Sequence, residues 1–125
     1  QRKLIAHVRS KYEKLDVEPE QGLFNHKCFN NAVEYAFNGT DVGVVEVICV
    51  MDDRPVLHYI NVRDGTYLET TLGYKAAIVE YYYIREIDNT YWLKIEHIFN
   101  QSLEEWTSAF MSNFWRTMLS INRIL

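Results

Sequence analysis

Three consecutive β-rich segments constrain the fold of this chain more than any other feature of its sequence. β-Branched and aromatic residues dominate residues 43–51, 55–62 and 66–71, and the short segments between them hold Asp52-Asp53 and Asp64-Gly65. Connections rich in aspartate and glycine are typical of tight turns between antiparallel strands. The pattern therefore predicts an antiparallel meander in which each strand lies beside the next.

Helical periodicity and a further strand-like run surround this meander. Apolar residues at helical spacing predict an amphipathic helix over residues 2–15 and a second helix over residues 28–39, joined by a linker over 17–25. Residues 81–87 predict a fourth strand, although residues 76–80 before them fit a helical turn. We therefore expect an α+β fold with N-terminal helices, an antiparallel sheet of about four strands and a C-terminal helix.

The C-terminal part of the chain predicts one clear helix. Ser102-Leu103-Glu104-Glu105 fits a capping box, in which the serine begins the helix and Glu105 reaches back to the serine amide. The preceding residues 90–100 fit both helix and strand, and we favour helix. The apolar stripe that this helix is expected to bury consists of Leu103, Trp106, Phe110, Phe114, Met118 and Ile121.

Length, composition and charge indicate a single domain with a hydrophobic core. With 125 residues, 48% hydrophobic and 24% charged, the chain suits one domain spanning residues 1–125. A net charge of −4 without long runs of Lys or Arg argues against a nucleic-acid partner. The longest apolar run, residues 42–51, is far shorter than the roughly 20 residues that cross a bilayer, so no membrane partner is expected. We interpret the two cysteines as reduced thiols, which favours a cytoplasmic location.

Cys28 begins the second predicted helix, and this position is typical of a reactive thiol. The partial positive charge at a helix N-terminus favours the thiolate. A nucleophilic cysteine also needs a base within hydrogen-bond reach and a third group that orients the base. His58 on the second strand and Glu69 on the third can supply both, if the hairpin at Asp64-Gly65 places them on one face. The candidate catalytic residues are therefore Cys28, His58 and Glu69.

The segment from His58 to Thr71 resembles the histidine-to-acid hairpin of transglutaminase-like and NlpC/P60-like thiol hydrolases, within the papain-like group. In those proteins a cysteine begins a helix, a histidine follows on a strand, and an acid or another polar residue lies on the next strand. The resemblance covers residues 21–72, with glutamate where aspartate is more usual. It implies a papain-like core, Cys28 as nucleophile, His58 as general base and acid, and Glu69 as the orienting residue.

The same resemblance suggests residues that bind the oxyanion. In the papain-like group an upstream glutamine helps the amide of the nucleophile to hold the oxyanion. This implies Gln21 or Asn25 as candidates for that role. In general style the chain also resembles small phage-encoded proteins.

The leading functional hypothesis is a small cysteine-dependent hydrolase, a peptidase, amidase or deamidase that acts on a protein or peptide substrate and requires no cofactor. The alternative is a non-catalytic protein-binding or inhibitor module of the same fold, with the aromatic C-terminal helix or a sheet edge as its surface. A third hypothesis is a structural subunit that self-associates through the last helix.

Structural roles and a metal site are the competing interpretations of the same side chains. Cysteine is among the most buried residue types, so Cys28 also fits a structural thiol, and Cys49 fits a core residue. A zinc site is not predicted, because structural zinc sites usually hold two close-spaced ligand pairs and the candidates here provide one. Those candidates are His26, Cys28, Cys49 and His58.

Overall fold

The computed structural model describes the backbone of residues 2–110 and the side chains of residues 2–106. In chain order, the helices and strands are α1 (Arg2–Lys11), β1 (Lys14–Leu15), β2 (Val17–Pro19), α2 (Cys28–Asn38), β3 (Val42–Met51), β4 (Arg54–Arg63), β5 (Thr66–Glu69), a 3₁₀ helix (Gly73–Ile78), β6 (Glu80–Ile87), a second 3₁₀ helix (Asn89–Lys94) and α3 (Ile95–Phe110).

The strands of the described residues form one six-stranded mixed sheet in the order β1-β6-β3-β4-β5-β2. β3, β4 and β5 are the predicted antiparallel meander, and β6 pairs antiparallel with the other side of β3. The α+β class is thus confirmed, whereas a sheet of four antiparallel strands is wrong. β2 pairs parallel with β5 at one edge, and β1 pairs antiparallel with β6 at the other.

The two missed strands lie in segments to which the sequence assigned other structure. β1 replaces the end of the predicted helix over residues 2–15, and β2 lies in the predicted linker over 17–25. A strand of two or three residues is too short for an alternating pattern to appear, so pairing with a longer neighbour decides its conformation. Short edge strands also leave little backbone open to another chain, and Pro19 removes one donor.

Both predicted hairpin turns are tight two-residue turns. Asp52 and Asp53 have φ of 51° and 58°, and Asp64 and Gly65 have φ of 51° and 77°. Positive φ at both central residues is the geometry whose twist matches that of antiparallel strands. These turns set the registers that bring β3, β4 and β5 together.

The central strands are buried on both faces. The helices cover one face, which we call the helix face, where Leu4, Val8, Ala32, Leu57 and Tyr59 belong to a single cluster. The opposite face carries a second cluster that includes Val45, Val47, Val56, Ile60 and Tyr81, together with Leu72 and Ala76 beside the first 3₁₀ helix. Polar side chains in these strands are therefore excluded from water and need internal partners.

α2 begins at Cys28 as predicted, and Gly39 follows its last residue. A glycine after a helix commonly adopts the left-handed conformation, but the φ of Gly39 is −101°. A glycine is required here for space, because a Cβ at residue 39 would lie 2.5 Å from Val42 Cγ2.

α3 begins at Ile95, so the predicted capping box at Ser102 is wrong. Ser102 lies inside the helix, is buried, and accepts a hydrogen bond of 2.9 Å from Arg85 Nη2. The serine-to-glutamate spacing of a capping box also occurs inside helices, and the helical preference for residues 90–100 is the correct one. Leu103 and Trp106 pack on the helix face. Of the remaining predicted stripe, the Phe110 side chain and Phe114, Met118 and Ile121 lie outside the described residues.

Candidate functional site

The register of β4 and β5 places His58 and Glu69 on the same face of the sheet. The ladder pairs Arg63 with Thr66, Val62 with Tyr67 and Asn61 with Leu68. Continued by one step, it sets Glu69 opposite Ile60, two residues from His58. Such diagonal neighbours point to the same side and lie within reach of long side chains.

The two side chains form a close pair without solvent exposure. His58 Nε2 lies 2.8 Å from Glu69 Oε1 and 3.0 Å from Oε2, and both residues are 0% exposed. Three further donors fix the carboxylate. The Tyr81 hydroxyl donates to Oε1 at 2.6 Å. The backbone amides of Thr71 and Leu72 donate to Oε2 at 2.9 and 3.1 Å. Each carboxylate oxygen therefore has its own set of donors.

These contacts decide the charge state of the pair. Burial opposes the ionisation of Glu69, but the His58 charge and the hydrogen bonds from His58, Tyr81 and Thr71 outweigh it and lower the pKa of Glu69. Burial also disfavours a charged His58, yet the Glu69 carboxylate and Cys28 outweigh this effect and raise the pKa of His58 to about 10. At neutral pH the site thus holds a buried imidazolium and carboxylate.

Cys28, the first residue of α2, is a neighbour of His58. The residue is 4% exposed, and its proximity to His58 is part of the reason for the raised pKa of His58. Nδ1 of His58 is the one buried side-chain nitrogen or oxygen without a hydrogen-bond partner among residues 2–106, so the sulfur is not hydrogen-bonded to it. Loose thiol–imidazole geometry is common in resting sites. The structure therefore brings Cys28, His58 and Glu69 to one place.

The two oxyanion candidates are placed differently from the trio. The Gln21 side chain lines a surface cleft of about 430 Å³ along α2, and its backbone amide donates to the Glu69 carbonyl at 3.2 Å. Asn25 forms a reciprocal amide pair with Asn31, with donor–acceptor distances of 2.8 and 3.3 Å. Neither side chain makes a hydrogen bond to Cys28 or His58 within the described part of the chain.

A polar network that the sequence reasoning missed ties α2 to the strands of the site. Asn31 Nδ2 donates to Thr71 Oγ1 at 2.9 Å, and Asn61 Nδ2 donates to the Ala32 carbonyl at 2.8 Å. Thr70 Oγ1 donates to Asn61 Oδ1 at 2.7 Å. The available signal was the presence of Asn31 on the apolar face of a helix and Asn61 within a β-rich run, since buried amides need partners.

Tyr81 was also missed, because a tyrosine in an alternating strand is ordinarily a core residue. Its position on β6, opposite Cys49 of β3, follows from pairing across the sheet. No local sequence pattern relates residue 81 to residue 69. Only the order of the strands brings this hydroxyl to the carboxylate.

A second buried carboxylate lies on the helix face. Glu46 is 1% exposed, accepts a hydrogen bond from the Tyr59 hydroxyl, and pairs with Arg85 Nε at 3.1 Å. Arg85 also donates to Ser102, so this cluster joins β3, β4 and β6 to α3. Burial and the neighbouring Glu46 raise the pKa of Tyr59, which keeps the hydroxyl protonated as a donor. The cluster explains why a glutamate interrupts the apolar run of β3.

The side chains within residues 2–106 include no group of three or more His, Cys, Asp or Glu arranged to hold a metal ion. Among the helices of the described chain, none combines the length and apolar character that crossing a membrane requires. Comparisons with protein-family models, with curated proteins and with solved structures give no match.

Proposed function

We propose that the chain is a cysteine-dependent hydrolase that cleaves amide bonds of a protein or peptide by acyl transfer through Cys28. One observation carries this proposal. His58 pairs with the Glu69 carboxylate through Nε2 and is a neighbour of Cys28, and its unpaired Nδ1 is the nitrogen that we assign to the sulfur. A charged imidazole that is held at one nitrogen needs an acceptor at the other, and a thiolate is such an acceptor. The resemblance to transglutaminase-like and NlpC/P60-like hydrolases supports the same roles.

The proposed reaction follows from these positions. The Cys28 sulfur attacks the carbonyl carbon of the substrate, and the amide nitrogen leaves with the proton that His58 Nδ1 carries. This step forms a thioester and breaks the C–N bond. A water molecule then gives a proton to His58 and attacks the thioester carbon, which releases the acid and restores the thiolate. Glu69 holds Nε2 throughout and stabilises the imidazolium.

The loop over residues 20–27 precedes Cys28, and we propose that it moves to give substrate access. The thiol is 4% exposed, and Asn25 folds the loop back onto Asn31, one turn into α2. Phe24 and His26 have φ of 50° and 58°, a conformation that is costly for residues other than glycine. Strained residues persist only where surrounding contacts hold them, so we propose that this loop opens transiently and admits both substrate and small reagents to Cys28.

The burial of the site favours one second candidate, a non-catalytic binding module of the same fold. His58 and Glu69 are 0% exposed, as expected of a pair that only stabilises the core. Beside the 20–27 loop, Phe24 and Tyr74 contact each other at 5.6 Å between ring centroids while remaining 43% and 75% exposed. Exposed aromatic side chains are enriched at protein interfaces, so this pair is the surface that a binding module would use.

Site-resolved alkylation separates the two candidates. We expect iodoacetamide to modify Cys28 well below pH 8.5, the ordinary thiol pKa, because His58 stabilises the thiolate. Cys49 is the internal control, since it is 0% exposed and burial raises the pKa of its thiol. Mass spectrometry of peptides after timed labelling gives the rate at each cysteine.

Two variants sharpen the test. His58→Ala should slow the alkylation of Cys28 at neutral pH by at least tenfold without exposing Cys49. Cys28→Ser should keep the fold and abolish any hydrolysis, because a hydroxyl ionises far less readily than a thiol. A native protein whose Cys28 stays unmodified at every pH, or reacts with the profile of a free thiol, contradicts the hydrolase and leaves the binding module.

A further inference from the structure

Tyr81 makes the shortest hydrogen bond to the Glu69 carboxylate among the described residues. Its hydroxyl donates to Glu69 Oε1 at 2.6 Å, its side chain is 1% exposed, and its ring centroid lies 6.4 Å from that of His58. Burial above all, and then the nearby Cys49 and Glu69, raise the pKa of Tyr81, so the hydroxyl keeps its proton. Tyr81 is therefore a permanent donor at this position.

Different donors bind the two oxygens of the Glu69 carboxylate. Tyr81 holds Oε1, whereas the backbone amides of Thr71 and Leu72 hold Oε2. These hydrogen bonds fix the orientation of the carboxylate, so that its two oxygens lie 2.8 and 3.0 Å from His58 Nε2. The backbone donors come from the segment after β5, so Tyr81 is the side-chain donor that β6 contributes to this arrangement.

We propose that Tyr81 is a positioning residue, which holds the Glu69 carboxylate in its orientation toward His58 and thereby sustains the thiolate–imidazolium pair. This role rests on the proposed hydrolase. The titratable groups that face Glu69 are His58 from β4, Tyr81 from β6 and Cys49 from β3, and Cys28 of α2 lies beyond His58. Removing the Tyr81 hydroxyl therefore leaves His58 as the only side-chain partner that hydrogen-bonds to the carboxylate among the described residues.

β6 supplies a matched control at the next residue. The Tyr82 hydroxyl donates to Glu80 Oε1 at the same distance of 2.6 Å, but on the other side of the strand and away from His58. Tyr81→Phe and Tyr82→Phe thus each delete a hydroxyl group from the same strand. Each substitution removes the same kind of hydrogen bond, from a tyrosine hydroxyl to a glutamate carboxylate. Only the first deletion touches the candidate site.

The first measurement follows the carboxyl carbons of Glu69 and Glu80 by ¹³C NMR across an acid titration, with Glu69→Gln used to assign Glu69. A hydrogen bond to a carboxylate favours its charged form, so Tyr81→Phe should raise the pKa of Glu69 by about one unit and leave Glu80 unchanged. Tyr82→Phe should raise the pKa of Glu80 and leave Glu69 unchanged. An unshifted Glu69 in Tyr81→Phe, or an equal shift of Glu69 in both variants, overturns the positioning role.

The second measurement is the pH profile of Cys28 alkylation. If Tyr81 acts through Glu69, the acid limb of this profile shifts to higher pH in Tyr81→Phe and stays at the same pH in Tyr82→Phe. A merely structural role of Tyr81 does not predict this difference. Should Tyr81→Phe fail to fold, 3,5-difluorotyrosine at position 81 keeps the size and strengthens the donor, and the Glu69 titration must then move downward. If Cys28 is inert, the hydrolase proposal is refuted but the positioning of Glu69 by Tyr81 is not. The Glu69 titration tests that positioning without involving the thiol.

Discussion

The pair of His58 and Glu69 places two opposite charges in the interior of a small protein. Taking each charge out of water is costly, and mutual attraction with complete hydrogen bonding offsets that cost. Here the carboxylate is fully supplied with donors, whereas the imidazole keeps one nitrogen without a partner. A pair that served stability alone would gain from an acceptor at Nδ1. This nitrogen is the one that the proposed mechanism assigns to the Cys28 sulfur.

Glu69→Gln should destabilise the protein by about 3 kcal/mol, because it removes the counter-charge of a buried histidine. Glu80→Gln is the matched control, since the Arg9–Glu80 pair lies on the surface with side chains 47% and 32% exposed. That substitution should cost less than about 1 kcal/mol. Urea unfolding at neutral pH measures both, and equal costs for the two variants would show that burial adds nothing to the His58–Glu69 pair.

At the scale of elements, α3 shows how a familiar motif misleads. A serine followed three residues later by glutamate fits a helix start, yet Ser102 lies seven residues after Ile95, where the helix begins. The partner of Ser102 is Arg85 on β6, which the sequence does not relate to residue 102. Ser102 therefore stabilises the packing of α3 on the sheet rather than the start of the helix.

Substitution of Ser102 by alanine and by glycine distinguishes these two roles. At an N-cap, glycine costs only a few tenths of a kcal/mol and alanine costs about 1 kcal/mol. Inside a helix the order reverses, because glycine is less favourable than alanine by about 1 kcal/mol. Both variants lose the Arg85 hydrogen bond, so we expect Ser102→Gly to be the less stable one. Thermal unfolding of the two proteins side by side checks this order.

For the whole molecule, the buried pair makes stability depend on pH in a defined direction. The pKa of His58 is raised from 6.5 to about 10, so its contribution is complete below pH 6.5 and is lost as the pH rises toward 10. The pKa of Glu69 is lowered from 4.5, so its contribution is present above pH 4.5 and is lost as the pH falls through the folded-state pKa. Stability should therefore be greatest between about pH 4.5 and 6.5.

Denaturant unfolding across pH tests this expectation. In Cys28→Ser, which has no thiol proton at this site to offset the count, the unfolded chain releases above pH 6.5 the His58 proton that the folded protein retains, so the free energy of unfolding should fall by up to about 1.4 kcal/mol per pH unit. His58→Gln cannot bind this proton and should lose most of the slope. A flat profile from pH 6.5 to pH 9 in Cys28→Ser contradicts a charged His58.

Local sequence patterns determined the elements that carry their own signal. The turns at Asp52-Asp53 and Asp64-Gly65 set the strand registers, because consecutive positive φ angles are compatible with few residue types. The start of α2 at Cys28 and the central strands β3, β4 and β6 follow from composition and periodicity. The shared face of His58 and Glu69 follows in turn, since side chains on a strand alternate with a period of two.

Tertiary structure decided what depends on partners distant in the chain. The strands β1 and β2 exist only by pairing with β6 and β5, the start of α3 depends on its packing, and the hydroxyl of Tyr81 reaches Glu69 through the strand order. The sequence also did not predict the burial of Cys28, His58 and Glu69, because the exposure of a residue depends on what covers it and not on the residue itself. Short segments lack a periodic signal, and contacts between distant residues leave no local pattern, so only the assembled sheet and helices specify them.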